Sequence, residues 1–310
     1  MENFAVRFLA LDRVPKFIPA CFIDSEEKQL ELLTCTLLKL SVVEFPLPRA
    51  QVQALLEAIV RTCEDSRVPV HEQVYELLAH TLNDNAEREV FGHYVIGSKE
   101  VKFRVFGDSS ALVQNGSTGF MTWEAGKCLA WYLSCVDRPA EILELGCGTG
   151  VTGVVTAMHV NGEYTFTDYH ESTLENARAN WATNKLTTRA SAKFEQLDFL
   201  ALDQNVDAPV IVGADILYDL TLSRGLVAFL ENPGVRFREA LIMSTIRTEV
   251  TYEAFKQALE QSSVLTWESV YRLPFSDWCD LPQEPEWKQF LASATLLFDP
   301  EIELIRVKRK

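Results

Sequence analysis

Glu144-Leu145-Gly146-Cys147-Gly148-Thr149-Gly150-Val151-Thr152-Gly153 follows directly on the apolar run Ala140-Glu141-Ile142-Leu143. An apolar strand here runs into a glycine turn that opens a helix. Residues without Cβ let the backbone approach a ligand closely and take positive φ. The first N–H groups of a helix have no partner of their own and face whatever lies over the turn. That junction is a nucleotide-type cofactor site. About 20 residues further on, at the separation such sites use, the strand Tyr164-Thr165-Phe166-Thr167 ends in Asp168. A carboxylate there can accept both hydroxyls of a ribose.

The glycine spacing separates the cofactors. Dinucleotide sites read G-x-G-x-x-G, whereas this turn is Gly146-Cys147-Gly148-Thr149-Gly150, preceded by the acidic Glu144. The form E-L-G-x-G-x-G resembles motif I of class I S-adenosylmethionine methyltransferases, whose ligand carries an ammonium and a sulfonium but no pyrophosphate. A carboxylate near the turn would attract that ammonium and repel a pyrophosphate, so Glu144 is expected to help hold the ligand. A nicotinamide dehydrogenase, and a turn that merely joins strand to helix, are the other readings of the motif.

With 310 residues, 47% of them hydrophobic, the chain buries a full core. A net charge of −15 disfavours tracking a phosphate backbone, which needs clustered Lys and Arg. Proteins are the expected partners, with no nucleic acid and no membrane; a monomer is expected. The seven cysteines form no C-x-x-C pair, and free thiols packed as small hydrophobes imply a reducing compartment. No apolar run reaches the roughly 18 residues of a membrane helix, so a cytoplasmic location is expected.

From Ser25 to Ala86 apolar residues recur at helical spacing, in Leu30-Leu33-Leu37-Leu38, Val52-Leu55-Leu56-Ile59 and Val74-Leu77-Leu78-Leu82, which predicts three helices separated at Pro46/Pro48 and at Asp65–Pro69. His71 and His80 fall in the third pattern with no ligand partners, so capping or surface roles are expected and no metal site. From Glu89 alternating runs at 90–96, 101–106 and 111–113 predict a small antiparallel sheet. Strands near 140–145, 164–167, 193–197, 209–214 and 239–245 then alternate with helical patterns such as Ser172–Asn184 and Val250–Leu259, which predicts a doubly wound α/β domain. Strand-like runs at 265–273, 294–298 and 302–307 predict a C-terminal antiparallel hairpin. The division is thus a helical accessory region, 1–88, and a cofactor-binding domain, 89–310.

Several segments stand in a fixed order: Asn115-Gly116-Ser117-Thr118-Gly119-Phe120-Met121-Thr122-Trp123-Glu124-Ala125-Gly126, the glycine turn, Leu197-Asp198-Phe199, and Ala214-Asp215-Ile216-Leu217-Tyr218. Together they resemble the eukaryotic seven-β-strand protein-lysine methyltransferases, over roughly Val90–Val307. The helical extension and the N-G-S-T-G-F-M-T-W wording are most similar to the branch that methylates a lysine of translation elongation factor 2. The resemblance implies a seven-stranded, Rossmann-like class I methyltransferase sheet, S-adenosylmethionine as cofactor and elongation factor 2 as protein partner. It also implies that Trp123, Gly146, Cys147, Gly148, Asp168, Phe199 and Ala214 contact the cofactor. Phe199 stands where similar proteins often carry Trp, so it keeps an apolar face but lacks the indole N–H.

Methyl transfer to lysine requires a neutral amine, whereas free lysine has a pKa of about 10.4. Asp215, at the carboxyl end of a strand where open α/β sheets bind ligands, is expected to attract and orient the lysine as a catalytic residue. Tyr218 is expected to wall the channel and offer a π-face to a methylated ammonium. The bland alternatives make Asp215 the N-cap of the next helix and Tyr218 a packing residue. His170 is expected at the pocket rim and Trp181 in helix packing. Enzymes acting on a base amine typically carry prolines in a D/N-P-P-Y element, absent from Asp215-Ile216-Leu217-Tyr218. A methyltransferase acting on a small molecule or nucleic acid, and a non-catalytic S-adenosylmethionine-binding scaffold, are the alternative functions.

Overall fold

The computed structural model describes all residues except 13, 85–87, 106–118, 138, 186–188, 202–204 and 293–298. Asn115–Thr118 and the strands expected at 111–113 and 294–298 therefore lie outside the described residues. The chain divides into two compact units, Met1–Leu112 with Ala292–Thr295, and Val113–Leu291 with Leu296–Lys310.

The first unit contains helices α1 (Glu2–Leu9), α2 (Glu26–Cys35), α3 (Leu40–Glu44), α4 (Arg49–Ser66) and α5 (Glu72–Asn83), then strands β1 (Val90–Ile96) and β2 (Lys99–Val105). Of the apolar positions read from the sequence, Leu33, Leu37, Leu55, Leu56, Ile59 and Val74 pack into one buried cluster with Leu32 and with Phe8 and Leu9 of α1, whereas Leu30, Leu38 and Leu82 are exposed. The first helical pattern is broken after Cys35, where the Thr36 hydroxyl donates to the Leu32 carbonyl at 2.7 Å. The helix restarts only as the short α3. His71 caps α5, its Nδ1 accepting the Gln73 N–H at 3.1 Å. The β1–β2 hairpin, grouped by sequence with the cofactor-binding domain, belongs to this unit. Its Phe91 N–H donates to the Pro46 carbonyl at 2.8 Å, and buried His93 spans the Phe45 carbonyl and Glu100, both at 2.7 Å.

The second unit contains α6 (Glu124–Trp131), β3 (Glu141–Leu145), α7 (Val151–Thr156), β4 (Glu163–Asp168), α8 (Glu171–Asn184), β5 (Ser191–Gln196), β6 (Val206–Asp207), β7 (Val210–Ala214), α9 (Leu220–Glu231), β8 (Val235–Arg236), β9 (Glu239–Thr245), α10 (Glu249–Gln261), β10 (Leu265–Pro274), α11 (Phe275–Asp280), α12 (Pro285–Ala292) and β11 (Glu301–Arg309). Seven strands form one sheet in the order β10-β11-β9-β7-β3-β4-β5. β3, β4, β5, β7 and β9 are parallel, and β11 runs antiparallel to both β9 and β10. This is the doubly wound seven-stranded class I methyltransferase sheet. The antiparallel closure expected at the C-terminus is present, with α11 and α12 between β10 and β11 in sequence; the run at 294–298, read as the strand before 302–307, lies outside the described residues.

The central strands are buried on both faces and read as continuous apolar runs; Ala240, Leu241, Ile242 and Met243 of β9 are all buried. α9 and α10 cover one face with Leu226, Phe229, Leu230, Phe255 and Leu259, each such burial stabilising by roughly 1.5–3 kcal/mol. Gly153 lets α7 lie close to β4, since a Cβ there would stand 2.3 Å from the Phe166 ring. The chain leaves β3 toward β4 and β5, then crosses to β7 and β9 on the other side. The carboxyl ends of β3 and β7 therefore flank the topological switch point, where such sheets bind ligands.

Candidate active site

The glycine turn is built as the spacing requires. Gly146 has φ of 61°, and a Cβ there would meet the Ile216 side chain at 2.8 Å. The Cys147 N–H donates to the Thr167 carbonyl at 2.9 Å, which pins the turn to β4. Asp168, ending β4, accepts the Gly148 N–H at 3.3 Å and the His170 N–H at 3.0 Å. Burial raises its carboxyl above the usual range, against the downward pull of these N–H groups. Strand end and turn are thus one hydrogen-bonded unit.

Over this unit opens a cavity of about 300 Å³ whose lining includes Trp123, Gly146, Gly148, Asp168, Phe199, Ala214, Asp215 and Tyr218. That volume lies at the lower end of the range for small-molecule sites, roughly 300–1,000 Å³. Eight of the sequence-chosen site residues meet there. Cys147 does not: its side chain is buried and it is absent from the lining. Glu144 is also displaced from its expected role. Its carboxylate is buried beneath the turn, where it accepts the Tyr164 hydroxyl at 3.0 Å. Burial pushes it up to about 8, against the hydrogen bonds of Thr152 and Tyr164. A neutral carboxyl away from the cavity holds no ammonium, so Glu144 fixes β3 to its neighbours instead.

Asp215 has a geometry the sequence did not reveal. It stands in the left-handed region, φ 53°, a conformation Asp and Asn tolerate better than most residues. Its side chain is only 6% exposed. Oδ1 accepts the Thr245 N–H at 2.7 Å and Oδ2 the Thr245 hydroxyl at 3.0 Å, with the Arg247 guanidinium 3.4 Å from Oδ2. Burial pushes its carboxyl up to about 6, against the charge of Arg247 and both Thr245 hydrogen bonds. The helix that follows is capped by Asp219, whose Oδ1 accepts the Leu222 N–H at 2.9 Å, so the capping role weighed for Asp215 belongs to another residue. Tyr218 is 64% exposed and stands at the cavity mouth, not in the core.

A second cavity, of about 160 Å³, opens beside the first and is lined by Asp215, Leu217, Tyr218, Ser244, Thr245, Arg247, Thr248, Thr251 and Tyr252. Asp215 and Tyr218 line both cavities. Sequence reasoning missed the β9 contribution, Thr245 and Arg247, because nothing local in Thr245-Ile246-Arg247 marks it; only the pairing of β9 with β7 brings it to Asp215. Asp198 also lines the first cavity, with Tyr169, His170 and Leu222. Asp198 was legible as part of Leu197-Asp198-Phe199, and His170 lies where the rim was expected.

The lining fits S-adenosylmethionine better than a dinucleotide. Asp168, Asp198 and Asp215 all line the first cavity, and carboxylates attract a sulfonium and an ammonium but repel a pyrophosphate. The missing Cβ of Gly146 leaves room for the Ile216 side chain, which also lines the cavity. Among the described residues no group of three or more His, Cys, Asp or Glu is placed to hold a metal ion.

Comparison with known proteins gives the same reading. The model of the lysine methyltransferase family matches residues 110–262. The human protein-lysine N-methyltransferase EEF2KMT is 27% identical over 298 residues, which cover 86% of this chain and 89% of the human protein. Protein-lysine N-methyltransferase EFM3 of Chaetomium thermophilum is 28% identical over 211 residues, 59% of this chain and 61% of that protein. A solved putative transferase of Pyrococcus horikoshii aligns over 77% of this chain and 83% of its own, at 13% identity and a TM-score of 0.46. With its motifs in order on the expected sheet, and with similarity to these enzymes along most of its length, this chain is an S-adenosylmethionine-dependent protein-lysine N-methyltransferase.

Proposed function

We propose that the chain methylates a lysine of translation elongation factor 2. The observation that carries this reading is the similarity to EEF2KMT along most of both chains, 86% of this one and 89% of the human protein, which extends well beyond the cofactor-binding segment. We assign Trp123, Gly146, Gly148, Asp168, Phe199 and Ala214 to the cofactor and Asp215 and Tyr218 to the lysine. Cys147 contributes its backbone to the turn. When bound, S-adenosylmethionine supplies an electrophilic methyl group on its sulfonium.

The chain's own residues divide the remaining work. Asp168 offers carboxylate oxygens to the ribose hydroxyls while its other lone pairs hold the turn. Phe199, packed edge-on to Phe229 at 6.4 Å, presents an apolar face for the adenine. The lysine enters through the second cavity, because that cavity meets the first at Asp215 and Tyr218. Asp215 orients the amine, and its proton leaves to water through the hydroxyl-lined opening of Ser244, Thr248 and Thr251. Tyr218 lies at the mouth and offers its ring to a methylated ammonium, which suits successive transfers.

A monomer in the cytoplasm acting on protein, not nucleic acid, completes the proposal. It is supported by the net charge of −15, the absence of prolines from Asp215-Ile216-Leu217-Tyr218, and the finding that no helix among the described residues is long and apolar enough to cross a membrane. Incubating the protein with labelled S-adenosylmethionine and cytosolic extract, with and without RNase, tests it. An RNase-resistant labelled band identified by mass as elongation factor 2 is expected. An RNase-sensitive signal would transfer the assignment to nucleic acid, and label confined to small molecules would exclude a protein substrate.

A further inference from the structure

Arg247 follows β9, lines the second cavity and reaches Trp123, which lines the first. Its guanidinium lies 4.4 Å from the centre of the Trp123 ring, 3.4 Å from Asp215 Oδ2 and 4.0 Å from Glu124 Oε2. Glu124 is itself buried, and that oxygen has no hydrogen-bond partner. An unopposed Asp215 would bind a lysine ammonium and hold its proton on, since a neighbouring anion stabilises the charged form. Transfer needs the opposite, a neutral amine. A fixed cation beside the carboxylate cancels much of that effect, while the carboxylate oxygens can still accept a hydrogen bond from the amine.

We propose that Arg247 is a positioning residue that balances the charge of Asp215, so that the lysine held there loses its proton before methyl transfer. The inference rests on the assignment of Asp215 to the lysine. The groups facing Asp215 are Thr245 and Arg247 from the β9 end and Glu124 from α6, with the buried Cys128 thiol also close enough to feel its charge. Arg247 is the only cation among them. The Trp123 ring holds the guanidinium in place, as cations over an indole are attracted by its quadrupole. Cofactor-side and lysine-side residues are thereby joined through one side chain.

Arg247→Gln and Arg247→Lys, compared with the unaltered full-length chain, test this in two ways. The first needs no substrate: the Asp215 carboxyl is followed by NMR titration, its signal assigned with Asp215→Asn. Loss of the cation should raise the titration midpoint by on the order of 1 pH unit, and Arg247→Lys should restore most of it. The second follows methylation of elongation factor 2. In Arg247→Gln, kcat at neutral pH should fall roughly tenfold while KM for the protein substrate stays level or falls, and the deficit should close as pH rises and the lysine deprotonates unaided.

An Asp215 titration unmoved by Arg247→Gln, or an equal loss of kcat at every pH, would overturn the proposal and leave Arg247 a structural tie. Absence of transfer by the unaltered chain at any pH would count against the substrate reading alone. The Asp215 titration would still decide the role of Arg247.

Discussion

Both carboxylate oxygens of Asp215 are held by Thr245, one by its N–H at 2.7 Å and the other by its hydroxyl at 3.0 Å. The proposed lysine-orienting group is therefore locked in a single rotamer by the neighbouring strand, as a preorganised site requires. Replacing Asp215 by Asn keeps the shape and the left-handed backbone but removes the charge. Methyl transfer should fall at least a hundredfold while S-adenosylmethionine binds with unchanged affinity by calorimetry. Loss of both together would show that Asp215 shapes the cofactor cavity instead.

Thr245→Val removes the hydroxyl contact and retains the backbone one. A hydrogen bond to a charged group contributes about 1.5–3 kcal/mol, so part of the orientation should be lost. Turnover should fall roughly tenfold with little change in melting temperature. Full activity in steady-state assays would show that the backbone N–H alone holds Asp215.

Asp168→Ala should weaken S-adenosylmethionine binding at least tenfold. A charge-assisted bond to the ribose contributes about 1.5–3 kcal/mol, and tenfold in affinity corresponds to about 1.4 kcal/mol. The same substitution releases the Gly148 and His170 N–H groups, so part of the loss comes from a loosened turn. Asp168→Asn separates the two contributions. Unchanged binding in a folded Asp168→Ala would remove Asp168 from the cofactor site.

Glu144 gives the fold a pH dependence of unusual sign. Its carboxyl titrates at about 8 when folded but in the ordinary carboxylate range, near 4.3, when unfolded. Between those values the folded state binds more protons, so this group makes stability fall as pH rises from about 4.3 to about 8 and level off above. Asp215, at about 6, contributes in the same direction over a narrower window. Glu144→Gln mimics the neutral form and should flatten the slope, leaving the variant more stable than the parent at pH 8 in denaturant titrations. An unchanged slope would show that Glu144 is ionised in the fold.

We propose that the helical segment from about Ser25 to Ala86, which has periodic apolar faces and no catalytic constellation, docks the protein substrate. One lysine in a narrow channel offers little discrimination, whereas a surrounding surface can add several kcal/mol. Leu40 and Val43, 80% and 66% exposed, lie three residues apart on α3. Replacing both with Ser should raise KM for intact elongation factor 2 several-fold without altering S-adenosylmethionine affinity. An unchanged KM would remove this face from recognition.

The parallel strands, the glycine turn and Asp168 were legible because their signals are local: an apolar run, a glycine spacing, an acidic strand end. So was the convergence of Trp123, Phe199 and Asp215, through motif order. Glu144 was misplaced because sequence shows that a carboxylate adjoins the turn but not which side of the strand it occupies. β3 is buried on both faces, so no alternation of polar residues reports it. Thr245 and Arg247 were illegible because their role depends on β9 pairing with β7, a contact 30 residues from Asp215 in sequence. α11 and α12 were missed because each is short, six and eight residues, too brief for a helical period to show.

The central claim is that this chain carries methyl groups from S-adenosylmethionine to one lysine of elongation factor 2. Purified full-length protein, purified elongation factor 2 and isotopically labelled S-adenosylmethionine, followed by peptide mass spectrometry, measure it directly. Labelled methyl groups on a single lysine, absent with Asp215→Asn, are the expected result. No incorporation by a protein that binds S-adenosylmethionine, or incorporation unaffected by Asp215→Asn, would contradict it.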